Sequence, residues 1–156
     1  YRGRNVSPSD YVRYARQQAE EQLKRTSPAL GRSAARGARE ARQRTADVGA
    51  VDSHQFEQGW KPEVRADGGY AIVNTAPHAP WADDGRPPGS PPPIAALVRW
   101  VERRFRVGGP EAWAIARSIA EKIAQRGTKG AKVLEWVARR LEVVIIPQEI
   151  EKELNR

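Results

Sequence analysis

"WKPEVRADGGYAIVN", residues 60–74, is the part of the chain that reads as β structure, and it separates an α+β domain from a helical bundle. Asp67-Gly68-Gly69 supplies the positive φ that a tight antiparallel connection needs. Val64 and Ala66 alternate on the first run. Tyr70, Ile72 and Asn74 alternate with Ala71 and Val73 on the second, the period of a half-buried strand. Pro62 has no N–H to give a ladder, which puts its strand at an edge.

Downstream, the period changes to that of helices. In "PPPIAALVRWVERRF", Ile94, Leu97, Val98, Val101 and Phe105 share a face, with Pro92 or Pro93 in the first turn. Arg99, Glu102, Arg103 and Arg106 fall on the opposite, wet face, and "VGGP" breaks the helix. "PEAWAIARSIAEKIAQRG" turns Ala112, Ile115, Ile119 and Ile123 inward and ends at Gly127. "AKVLEWVARRLEVVI" turns Val133, Leu134, Val137 and Leu141 inward. Pro147 is expected to stop it, leaving "QEIEKELNR" as a polar tail with at most a helical turn or two.

Upstream, residues 8–26 read as a helix with Ser9 as N-cap, Asp10 in the first turn, and Val12, Ala15, Ala19 and Leu23 near one face. "TSPALG" is expected to interrupt it, with Pro28 opening a second helix over about 28–46. That helix has a thin apolar side of Leu30, Ala34, Ala38 and Ala41, and its Arg32, Arg36 and Arg39 share a face. The expected fold class is α+β: a small, hairpin-based antiparallel sheet packed by two or three helices and preceded by a long N-terminal helical arm. The expected division is a basic helical arm at 1–49, an α+β core domain at 50–146 and a polar C-terminal tail at 147–156. On that division, removing residues 1–45 would leave the cooperative core intact.

Composition narrows the chemistry. The 156 residues include no cysteine, which excludes disulfides, thiolate metal sites and cysteine nucleophiles. No apolar run approaches the roughly 20 residues of a membrane span, and "YRGRNVSPSDY" has no apolar stretch like that of a leader, so no membrane partner is expected and the cytoplasm is the default compartment. The net charge is +8, and the first 50 residues hold eleven basic against five acidic side chains. A field of that sign attracts polyanions, and Arg32, Arg36 and Arg39 are the candidate polyanion contacts.

Catalytic groupings are poor. Asp83 and Asp84 are adjacent, so their side chains diverge; His78 stands alone between Pro77 and Pro80; and no G-x-S-x-G elbow is present. Asp52, His54 and Glu57 lie close in sequence but form no ligand pattern. "GRPPGS" and "RGTKGAK" lack the spacing of a phosphate-binding loop. No enzyme activity, catalytic residue, cofactor or metal is expected. Of the five tryptophans, Trp81 on the proline-rich loop and Trp100, offset from its helix's apolar stripe, are candidates for a protein contact.

The order of these signals is more specific than any one of them. Val73, Asn74, Ala76, His78, Ala79, Trp81, Asp83 and Gly85 are followed by Arg86, Pro88, Gly89, Pro92, Pro93, Trp100 and Val101. Ile115, Ala116, Arg117, Ile119, Ala120, Arg126, Gly127, Thr128 and Gly130 complete the series. The series resembles the small tail-completion or neck (head–tail connector) proteins of long-tailed bacteriophages, the minor-tail-protein-Z-like group. It departs from them at His78 and Asp84, where aromatics are usual, and after Gly130. The resemblance implies a virion structural protein at the head–tail junction, assembled in the host cytoplasm. It would form a homo-oligomeric ring around the tail axis, touching other junction and tail proteins. Its implied contact residues are Trp81, Asp83, Arg86, Pro88, Gly89 and Trp100. The alternative from charge is a basic DNA-binding or packaging accessory protein making nonspecific DNA contact.

Overall fold

The computed structural model describes residues 8–50 and 54–155. The order of elements is α1 (Pro8–Asp47), α2 (Gln55–Gln58), β1 (Trp60–Val64), β2 (Tyr70–Asn74), α3 (Ala79–Asp84), β3 (Gly85–Arg86), α4 (Ile94–Phe105), α5 (Gly109–Arg126), β4 (Thr128–Lys129), α6 (Val133–Arg140), a π-helical turn (Leu141–Ile145) and α7 (Ile146–Leu154). The fold is mixed α+β, dominated by helix, with two separate two-stranded antiparallel sheets.

The expected hairpin is present. Trp60 pairs with Asn74 and Val64 with Tyr70, and the turn is closed by Arg65 N–H to Gly69 O at 2.8 Å. The side chain of Asp67 accepts the Gly69 N–H at 2.9 Å, and Gly68 alone of the three turn residues takes a positive φ, +80°. The hairpin lies on α1. Tyr70 and Ile72 project onto the helix where Gly31 and Gly37 leave room for them, so side chains from one strand face fill gaps that a larger helix residue would close.

Two helix breaks expected from proline do not occur. Helix α1 runs unbroken through Pro28 for 40 residues, about 60 Å at 1.5 Å per residue. Pro28 costs one backbone bond, but Ala29, Ser33, Ala34, Ala38, Ala41 and Thr45 beyond it are all buried in the body, and that packing favours continuing the helix. Pro147 likewise sits in the first turn of α7 without ending the run. The π-helical turn before it re-registers the ladder, with Ile146 N–H bonding Leu141 O five residues back, so a missing N–H is tolerated at 147. The segment expected to be a polar tail is a nine-residue helix docked on α1.

The apolar residues form two clusters. In the first, Ala41 of α1 meets Phe56, Trp60, Ala76, Ala79, Val133 and Val137, with Ile72 and Trp136 packed around them. Trp60 is the largest fully buried side chain at 2% exposure. In the second, Val98 and Val101 of α4 meet Ala112 and Ala116 of α5, with Ile94, Leu97, Trp100, Ile115 and Ile119 around them. The α4–α5 hairpin therefore carries its own small core. Phe105 and Leu134, expected to face inward, are about half exposed. Phe105 is the last residue of its helix and Leu134 lies in the first turn of α6, at element ends rather than inside the packed faces.

The line between arm and body falls inside α1. Every residue from Ser9 to Arg25 is exposed, whereas burial begins at Ala29. The separable part is thus the first half of the helix, and the second half belongs to the core. Truncation to residue 26 should keep a cooperative thermal transition with a small change in midpoint. Truncation to residue 46 should abolish it, because Ala41 and Thr45 are lost from under Trp60; a pair of thermal melts followed by circular dichroism checks both.

Candidate interaction surface

The proline-rich stretch after β2 is built from the strand outward. The Asn74 amide donates to Phe56 O at 2.7 Å while its carbonyl oxygen accepts Ala76 N–H at 3.0 Å, which turns the chain out of the sheet. His78 packs its ring against Phe56, with centroids 6.3 Å apart, and Ala79 is buried in the first core cluster. Helix α3 then carries Trp81 outward, 63% exposed.

Asp83 points the other way. It is 7% exposed, and its carboxylate accepts Val133 N–H at 2.6 Å and Leu134 N–H at 3.2 Å. Those are orphan donors at the start of α6, whose preceding residue Lys132 has no capping side chain. Asp83 therefore caps a helix 50 residues away, and the partial positive charge of that helix end favours the carboxylate. Asp84 reaches Lys132 across the same join at 3.5 Å, exposed on both sides.

The next residues form a latch. Gly85 and Arg86 pair with Lys129 and Thr128, and Gly89 N–H donates to Ala124 O at 2.8 Å. The backbones approach so closely that a Cβ on Gly85 would collide with Thr128 O, one on Gly127 with Arg86 O and one on Gly130 with Asp83 O. Gly85 and Gly127 also hold φ of +84° and +69°. "GR" and "RGTKG", 40 residues apart in sequence, are thus two sides of one backbone crossing at the base of the α4–α5 hairpin. The Arg86 guanidinium donates to Ser90 O at 2.7 Å and stiffens the loop within itself. Pro88 and Gly89 are exposed at its outer edge.

The residues expected to contact a partner therefore divide. Trp81, Pro88 and Gly89 lie on the surface, Arg86 is half-buried in the loop, and Asp83 is used internally. Trp100 is half-buried in the second cluster, edge-on to Phe105 with ring centroids 5.7 Å apart. Residue type and offset from the stripe point Trp100 to a partner contact; instead it packs against the Val98, Val101, Ala112 and Ala116 cluster.

The arginine stripe of α1 divides in the same way. Arg32 pairs with Glu149 at 3.2 Å and with Glu153, and Arg36 pairs with Glu40 at 3.0 Å and Glu149 at 3.6 Å. Arg140 reaches Glu40 at 3.0 Å from α6. Arg39 alone of the three is exposed. Arg32 and Arg36 thus bind α7 to α1 rather than presenting charge to a polyanion. Glu149 and Glu153 lie more than 100 residues later, so no local pattern signals their pairing with Arg32 and Arg36; the Arg36–Glu40 pair is local. Lys152 and Arg32 hold the Glu149 carboxyl below the ordinary carboxylate range against the opposing effect of burial. At Glu40, burial would raise the pKa, and hydrogen bonds from Arg140 and Arg36 outweigh it, so that carboxyl too is held low.

His54 pairs with Glu57 at 2.9 Å, while Asp52 lies outside the described residues. Among the described residues, no group of three or more His, Asp or Glu side chains is placed to hold a metal ion. No described helix is long and apolar enough to cross a membrane. No protein-family model matches this chain, and neither a curated protein nor a solved structure does.

Two outcomes follow. Asp83→Ala should lower unfolding free energy by about 2 kcal/mol, the scale of a lost cap with a buried unsatisfied donor, while Trp81→Ala should change it by no more than about 0.5 kcal/mol; urea denaturation measures both. The pH dependence follows from the lowered carboxyls. Their contribution is present above the unfolded carboxylate pKa, about 4.3, and is lost as pH falls through their lower folded values. The urea midpoint should therefore be flat from neutral pH to about 5 and fall below it. Glu149→Gln should be weaker at pH 7 and converge on the parent in acid.

Proposed function

We propose that the chain is a virion structural subunit, a neck or tail-completion protein that finishes a phage tail or joins it to the DNA-filled head as part of an oligomeric ring. The reading rests on the ordered motif series from Val73 to Gly130 and on one observation about it. The loop's polar groups are used to hold its shape, and its exposed large side chain, Trp81, is left facing outward. A loop of that kind presents a contact surface at low entropic cost, because proline and internal hydrogen bonds have already ordered it. A ring of identical subunits needs one surface repeated head to tail, and a rigid tryptophan-bearing edge suits such a contact.

A second reading, contact with DNA, is favoured by where exposed positive charge lies. Arg99, Arg104, Arg106, Arg117, Lys122, Arg126 and Lys129 are all exposed on or beside the α4–α5 hairpin. With Arg32 and Arg36 engaged by α7, that hairpin rather than the stripe of α1 is the place for phosphate contact.

The test is electron microscopy of particles from a phage or prophage carrying this gene, with the gene deleted and then supplied as Trp81→Ala. Full heads beside separate or malformed tails, unrescued by the folded Trp81→Ala protein, are expected. Normal joined particles from the deletion would overturn the neck reading and leave DNA contact through the hairpin as the reading to pursue.

A further inference from the structure

The first half of α1 poses a physical problem that the body does not solve. A solvated helical segment of this length is marginal in water unless its apolar face is covered. Tyr11, Val12, Tyr14 and Leu23 are all at least half exposed here. At 100° per residue, Val12, Ala19 and Leu23 fall within about 60° of Leu30, Ala34 and Ala41 around the helix. The uncovered stripe is therefore the continuation of the stripe that the same helix buries in its own body. The covering by α7 and the β hairpin stops, and the stripe does not.

We propose that a second copy of this chain covers it: two α1 helices pair antiparallel through Val12, Ala15, Ala19 and Leu23, about a twofold axis level with Gln18. Three features specify this occupant and this direction. The first is length. With the axis at Gln18, Pro8 of one copy comes level with Pro28 of the other, so the overlap covers the described free segment and ends where each body begins. The second is shape. Ala15 and Ala19 lie at the middle of the overlap and let the backbones approach, while Val12 of each copy comes within about 2 Å along the axis of Leu23 of the other.

The third is charge. A twofold antiparallel pair brings each flank of the stripe against the same flank of its mate, so residue i meets j and j meets i. Arg16 and Glu20 are the charges nearest the stripe on one flank and become level with Glu20 and Arg16 of the second copy, while Arg13 and Lys24 lie farther round, toward solvent. Tyr11 and Arg25 share the other flank and become level with Arg25 and Tyr11, the arrangement of a cation over a ring. In a parallel pair, the two flanks would instead bring Arg16 and Glu20 opposite Tyr14, Gln18 and Gln22, with no opposite charge at the same level. The contact is isologous and belongs to the free chain. A head-to-tail ring uses a different surface, so the pairing goes beyond the neck reading and stands or falls separately from it.

The native chain has no cysteine, so single-cysteine variants report the geometry directly. In the antiparallel pair, two copies of residue 19 lie about 3 Å apart along the axis and two copies of residue 12 about 18 Å apart. Under mild oxidation of the purified full chain, Ala19→Cys should give a disulfide dimer and Val12→Cys alone should not. Val12→Cys mixed with Leu23→Cys should give the crossed dimer. Arg16→Glu should suppress the Ala19→Cys product several-fold, and adding Glu20→Arg should restore it. Circular dichroism confirms that each variant is folded. A folded Ala19→Cys protein that stays monomeric, or self-linking of Val12→Cys as efficient as that of Ala19→Cys, would overturn the proposal. Because the assay uses the isolated chain, its failure leaves the particle experiment untouched, and failure of that experiment leaves this one standing.

Discussion

The fold depends on one buried hydrogen bond and what it joins. The Trp60 indole N–H donates to Thr45 Oγ1 at 2.9 Å, and the same hydroxyl donates to Ala41 O at 2.8 Å. This satisfies the polar end of the largest fully buried side chain and fixes the first residue of the sheet to the last turns of α1. Arg42 adds two bonds to the Trp60 carbonyl, at 2.7 and 3.1 Å, so the strand is held by side chain and backbone together. Without that anchor, a two-stranded hairpin of five-residue strands has little stability of its own. With it, Phe56, Ala76 and Val137 close around a tryptophan whose orientation is already set.

The second constraint is the backbone crossing at the base of the α4–α5 hairpin. Gly85, Gly127 and Gly130 bring two chain segments nearer than any Cβ permits, and Asp83 uses the same crossing to cap α6. The hairpin's own apolar cluster holds α4 to α5, and the crossing orients the pair relative to the body. Helix α3, which carries Trp81, is fixed at one end by the first core cluster and at the other by the crossing. Its conformation is therefore set by contacts within the chain.

The charge distribution follows from the same architecture. Arginines on α1 are drawn into a seam with acids of α7, with Arg36 and Arg140 meeting at Glu40. That seam fastens the end of the chain to its first helix. It also moves the positive surface away from the body of α1, toward the α4–α5 hairpin.

The sequence by itself determined the local elements. The Asp67-Gly68-Gly69 turn identified the hairpin, and helical spacing identified α4, α5 and α6, because each of those helices buries one face. It also determined the cysteine-free chemistry. Tertiary structure decided what depends on distant partners: whether a proline ends a helix, which arginines remain on the surface, and whether an aspartate in a loop is a contact or a cap. Pro28 is tolerated because buried alanines beyond it reward an unbroken helix. Arg32 is withdrawn because Glu149 and Glu153 arrive beside it from the far end of the chain. Asp83 is spent on Val133 and Leu134 because Gly130 lets the two segments touch. In each case the deciding energy comes from packing against an element distant in sequence.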